Sequence, residues 1–237
     1  MPLAKFYWQA AILFKGGINI NKDTFWALIA QAKEHPGGPS EWLMERLMDL
    51  GPEQAKKFDD IACAYTSLAY QYGLWTAASV MERGGCTDDG FTDFRGWLIA
   101  QGRDVYMAAL KDPDSLADVP VYGDCCFETI CYVGNYAYEE LTGRNTYEDF
   151  DPAVSRAWSE KIEPDIVYGE GIGYPYTWSE TAAYLPKLCA KYLTPEELAQ
   201  RIRQRDDTWN LTNPEIKIVR ATEKKSRRIK KNRGESR

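Results

Sequence analysis

Two arginines, Arg95 and Arg103, are the side chains of this 237-residue sequence whose type and spacing best suit holding an anion. Eight residues apart on a continuous helix, they fall on roughly the same side. A pair of guanidinium forks there would grip a carboxylate or a phosphate. The competing expectation is that each forms a structural salt bridge with an acidic neighbour. Asp93 lies about 200° from Arg95 on such a helix and cannot pair with it locally; it is read as helping to start the helix. A second candidate is the loop from Tyr168 to Trp178, where Glu170, Tyr174 and Tyr176 stand among glycines. Rings and a carboxylate on such a loop line a binding lip, because aromatic side chains give large contact area at small entropy cost. The alternative is a loop packed down by its own rings. Its glycines do not form a nucleotide-binding motif, since no strand precedes them and the spacing is wrong.

Catalytic constellations are sparse. His35 is the only histidine and sits in a Pro/Gly turn, which argues against Ser-His-Asp and Cys-His arrangements. Nothing in the spacing of the 35 acidic residues selects an acid/base pair, and Glu170 is the preferred single carboxylate. The six cysteines, at 63, 86, 125, 126, 131 and 189, lack the paired short spacing of a zinc site. Free and mostly buried thiols are expected, with no metal and no cofactor.

Charge is unevenly distributed. From Lys217 to Arg237 there are ten basic and two acidic residues, which leaves 19 basic and 33 acidic residues in the first 216. The chain is an acidic body with a basic tail. Within the tail, Lys224, Lys225, Arg227, Arg228, Lys230, Lys231 and Arg233 suit salt-sensitive, sequence-independent contact with nucleic-acid phosphates. No aromatic residue is interleaved to stack on bases. A solvated tail, or one that folds back on the acidic body, is the alternative. No apolar run reaches the roughly 18 residues of a membrane span, so a cytoplasmic protein without membrane contact is expected.

Helices must position these groups. Asn21 or Asp23 caps a helix from Lys22 that turns Phe25, Trp26 and Ile29 inward. Ser40 caps the next, with Trp42, Leu43, Leu47 and Leu50 inward. Pro52 opens a long helix whose stripe runs through Phe58, Ile61, Ala62, Tyr65, Leu68, Ala69 and Tyr72, with Asp59, Asp60 and Gln71 off it. Gly73 bends that helix before it continues to Met81. The stretch from Asp88 to Leu110 patterns as a helix with a buried face that includes Trp97. It is interrupted by Gly96 and Gly102, each of which marks a close backbone approach or a break. Further helices run from Cys125 to Leu141 behind Asp124, from Ala153, from Ser179 to Tyr192 and from Pro195 to Arg205. The expected fold is all-α. One compact multi-helix domain spans 22–206, between an N-terminal arm at 1–21 and a linker and basic tail at 207–237.

The segment Gly90-Phe91, Phe94-Arg95-Gly96-Trp97-Leu98-Ile99 and Gln101-Gly102-Arg103, followed by Pro113-Asp114-Ser115-Leu116-Ala117, resembles the bacterial domain-of-unknown-function family 4240. Phe25-Trp26-Ala27-Leu28-Ile29, Ala137-Tyr138-Glu139-Glu140-Leu141-Thr142-Gly143 and Tyr184-Leu185-Pro186-Lys187-Leu188 are similar to other parts of it. The likeness covers roughly residues 22–192. It implies a compact bacterial domain and brings no activity with it.

The leading reading is a non-enzymatic binding or interaction module for a protein or a small anionic ligand, using the surface near Arg95, Arg103 and Glu170. A nucleic-acid-associated accessory protein acting through the tail is second. An enzyme on a small polar substrate is third.

Overall fold

The computed structural model describes residues 19–36, 38–83, 85–121, 124–174 and 176–204. The fold is all-α, with no strand among the described residues. The chain divides into two compact units, Met1–Gly171 and Ile172–Arg237. The basic tail residues from Lys224 to Arg233 lie outside the described residues, as do residues 1–18 of the N-terminal arm.

Capping fixes where the helices of the first unit begin. Helix α1 (Lys22–Lys33) starts at Asn21, whose side chain accepts from the amides of Asp23 and Thr24, while Thr24 returns a bond to the Asn21 amide. Helix α2 (Pro39–Leu50) begins one residue before the expected Ser40 cap. Gly38, at a positive φ of 98°, carries the chain into it with no side-chain cap. Helix α3 (Pro52–Leu68) opens on Pro52, whose missing amide would have no partner there.

The long helix expected to run on to Met81 stops at Leu68 and restarts as α4 (Tyr72–Met81). The interruption comes before Gly73, which is buried inside α4. At the end of α3 the turn tightens, with the Tyr70 amide donating to Ser67 O and the Gln71 amide to Ala69 O. The carbonyls this turn releases are taken by side chains from later in the chain.

Helix α5 (Asp88–Ala100) is capped by Thr87, which accepts from the Gly90 amide, and Asp88 and Asp89 suit the positive end of its dipole. Gly102, at φ 97°, separates it from α6 (Arg103–Lys111). A 3-10 segment follows at Pro113–Asp118. Helix α7 (Thr129–Thr142) starts four residues later than Cys125, and Asp124 does not cap it. Asp151 accepts from the Ala153 amide to start α8 (Pro152–Ile162), and a 3-10 turn at Glu163–Asp165 ends it.

The second unit holds α9 (Trp178–Tyr184), α10 (Pro186–Tyr192) and α11 (Pro195–Gln204). Thr177 with Glu180, and Thr194 with Glu197, form the reciprocal capping bonds their spacing predicts. The single helix expected over 179–192 divides at Pro186, which has no amide to donate.

The core of the first unit lies around α3, which packs against α7 and α8. Phe25, Trp26, Phe58, Tyr65 and Tyr106 form a buried aromatic nest with ring centroids about 5 Å apart. Its polar atoms are satisfied: Trp26 Nε1 donates to Tyr65 Oη at 2.8 Å, and Tyr106 Oη donates to Tyr65 O at 2.6 Å.

Helices α3 and α7 meet at Gly134. A Cβ there would lie 2.8 Å from Asp59 N and 3.0 Å from Ala55 O, both backbone atoms of α3. Gly134→Ala is therefore expected to destabilise the chain by about 1–3 kcal/mol, despite the better helix propensity of alanine. Chemical denaturation measures this. An unchanged midpoint would show that the two helices separate at no cost.

Gly96 plays the same part on α5, where a Cβ would lie 2.5 Å from Phe127 O. Within the 88–110 stretch, Gly96 thus permits close approach and Gly102 breaks the helix.

Candidate functional site

The break at Gly102 separates the two arginines that the sequence places on one helix. Arg95 remains in α5 and is buried, 7% exposed, instead of facing outward. Its Nε donates to Phe91 O at 3.1 Å, one terminal nitrogen to Thr66 O at 2.9 Å and the other to Thr92 Oγ1 at 3.0 Å. The guanidinium carbon lies 4.9 Å from the ring centroids of both Tyr70 and Phe91. Burial pulls its pKa below the usual arginine value. Thr66 O is one of the carbonyls released at the end of α3, so Arg95 acts as a cap delivered from another helix. Asp93 stands in the second turn of α5, where its carbonyl accepts from the Phe127 amide.

Arg103 opens α6 with its side chain half exposed. Its Nη2 lies 3.9 Å from Asp165 Oδ2, and Lys22 Nζ from the start of α1 reaches the same oxygen at 2.6 Å. Two cations from separate helices thus converge on one carboxylate, on the 3-10 turn that ends α8. Lys22 also lines a groove of about 490 Å³ together with Asn21, Asp23, Lys57, Trp158 and Lys161.

A second groove of about 630 Å³ lies between α3, α7 and α8, and Lys57 and Trp158 line both. It is studded with paired charges. Lys56 meets Asp60 at 3.0 Å, and Asp149 accepts from Tyr138 Oη at 2.7 Å and from Arg144 Nη2 at 2.6 Å.

Glu170 is exposed at the end of the first unit. The amide of neighbouring Gly169 donates to Leu110 O at 3.2 Å, and a Cβ at 169 would overlap the Lys111 carbonyl, so glycine is required for this approach. In the second unit Tyr174 is exposed and Tyr176 half buried, with ring centroids 6.1 Å apart in an edge-to-face pair. The loop is thus partly packed by its own rings.

Cys63, Cys86, Cys126 and Cys131 are poor nucleophiles, because burial holds each thiol above its ordinary pKa. All six cysteines are free; Cys125, Cys131 and Cys189 are buried, Cys86 is partly so, and Cys63 and Cys126 are exposed. Burial of the sulfur pushes Cys131 up to about 11 and, although some of its surface is open, Cys63 up to about 12. No group of three or more His, Cys, Asp or Glu among the described residues is arranged to hold a metal ion. No helix among them is long and apolar enough to cross a membrane.

A buried polar cluster at the α3–α7 crossing is absent from the sequence expectations. Asp59, expected off the apolar stripe of α3, is buried beside Thr146, whose amide and hydroxyl both donate to Asn135 Oδ1, at 2.7 and 2.9 Å. Burial is the main cause that pushes the Asp59 carboxyl up to about 6. Lys22, Lys57, Trp158, Lys161 and Asp165 likewise carry no functional motif in the sequence. Lys22 and Asp165 are 143 residues apart, and no local spacing announces such a pair.

No curated protein and no solved structure matches the chain. A family match covers residues 20–140, from just before α1 to within α7, and leaves out Tyr184 to Leu188. The matching family is described as a protein of unknown function (DUF4240), and the chain belongs to that family.

Proposed function

We propose that this protein is a non-enzymatic binding module that recognises an anionic group, on a protein or a small ligand, through the Arg103 side of its first unit. The observation that carries this reading is the convergence of Arg103 and Lys22 on the single carboxylate of Asp165. Both cations extend from helix starts that the core fixes in place, so the pair is preorganised for a carboxylate or phosphate. Asp165 stands where an external anion would stand, and it sits on a turn that is partly exposed. Arg95 has no part in this surface, because its donors are spent inside the fold. Glu170, on the first unit, and Tyr174 with Tyr176, on the second, are separate candidates for contact with a protein partner.

The reading predicts opposite effects from two substitutions. Arg103→Ala removes one cation and should weaken binding of citrate or inorganic phosphate by about tenfold, while Asp165→Asn removes the internal competitor and should strengthen it. Calorimetric titration of the full chain measures both, with folding checked by circular dichroism. Equal affinities in all three proteins, or no binding in any, would remove the proposal.

A further inference from the structure

The groove beside Lys22 has a composition unlike the rest of this acidic body. Lys22, Lys57 and Lys161 line it with one carboxylate, Asp23, and the Trp158 indole forms its wall towards the neighbouring groove. Two of the lysines already hold oxygen ligands: Lys22 holds Asp165, and Lys57 reaches Asn19 Oδ1 and Glu53 Oε1, each at 2.8 Å. Lys161 forms no ion pair among the described residues; its ammonium rests 4.7 Å from the centroid of the Trp158 ring. That cation–π contact keeps the ammonium at the groove while leaving its charge without a counter-ion. A volume of about 490 Å³ is within the range of small-molecule sites.

Resting on the anion-binding reading above, we infer that the groove between the start of α1, α3 and the end of α8 is a site for a small organic anion. Its carboxylate or phosphate meets Lys161 and Lys22, and its apolar body lies against Trp158. Inorganic anions use only the charged half of such a site. A molecule joining an anionic head to a ring uses both halves. Asp23 disfavours a second anionic group at the α1 side, which points to a ligand with one such head.

The test is titration of the full chain with phenyl phosphate, benzoate, inorganic phosphate and phenol. It is followed by the Trp158 indole N–H resonance, assigned by its loss in Trp158→Phe. Expected are saturable shifts with phenyl phosphate or benzoate, weaker binding of inorganic phosphate, none with phenol, and about tenfold weaker binding of the aromatic anion in Lys161→Gln. Tighter binding of phenyl phosphate assigns a phosphate head, and tighter binding of benzoate a carboxylate head. Lys161 is on the surface, so Lys161→Gln should retain the wild-type circular dichroism. If anions bind and depend on Arg103, but Trp158 does not shift and Lys161→Gln binds as wild type does, the groove assignment is overturned while the Arg103 reading stands. If no anion binds, both fall.

Discussion

Arg95→Ala is expected to lower the stability of the chain by roughly 3 kcal/mol, while Arg103→Ala changes it by less than about 0.5 kcal/mol. The contrast follows from where the two guanidinium groups lie. Arg95 is buried and donates to Phe91 O, Thr66 O and Thr92 Oγ1. Alanine leaves the Thr66 carbonyl without that donor, at the end of α3 where the backbone has turned away. It also empties the space beside the Tyr70 and Phe91 rings. Arg95→Lys should recover little of the loss, because an ammonium cannot reproduce a planar fork that serves two carbonyls and a hydroxyl at once. Arg103 contributes one exposed ion pair at 3.9 Å, and such pairs add little to stability. Urea unfolding of the three variants measures the differences. Equal losses at 95 and 103 would contradict the capping role given to Arg95.

The second large effect depends on pH. Asp59 titrates near 6 in the folded chain against an ordinary 3.8, chiefly because burial disfavours its charged form. Asp60 adds to the rise, while Thr146, Lys56 and Asn135 oppose it. A raised carboxyl keeps its proton in the folded state after the unfolded chain has lost it. The folded state then binds more protons, and stability falls as pH rises from about 4 to about 6, then levels off. At 1.36 kcal/mol per pKa unit the loss at neutral pH is about 3 kcal/mol.

Asp59→Asn should remove this cost. The variant should be about 2–3 kcal/mol more stable than wild type at pH 7–8 and close to it below pH 4. The quantity to follow is the difference between the two unfolding free energies across pH. A difference independent of pH would show that Asp59 is not held neutral by its surroundings.

Local chemistry made much of the fold legible. Asn21, Asp151, Thr177 and Thr194 announce helix starts because a short oxygen-bearing side chain can meet an otherwise unpaired amide. Where helices stop was harder to read. At the break after Leu68, Arg95 takes the Thr66 carbonyl from 29 residues away. Periodicity across that break is nearly continuous.

The arginine pair failed for a related reason. Helical spacing assumes one helix, and Gly102 at φ 97° resets the angle between Arg95 and Arg103. Gly96 and Gly102 look alike in sequence and differ in what lies across from them. Asp59 carried a usable signal: Ala55 and Ala62 flank it at helical spacing, small residues that mark a close crossing, and Gly134 supplies the opposing surface. Trp158 and the lysines around it are brought together by the packing of α8 on α3, which no spacing in the chain encodes.

The claim at the centre of this account is that Lys22 and Arg103 form an anion site that Asp165 occupies from within. The affinity of Asp165→Asn for citrate or phosphate, measured beside wild type by calorimetry at one ionic strength, tests it most directly. Tighter binding by the variant is the predicted result. Weaker or unchanged binding in a folded variant would contradict the account, because it would make Asp165 a partner of the ligand or a bystander instead of its stand-in.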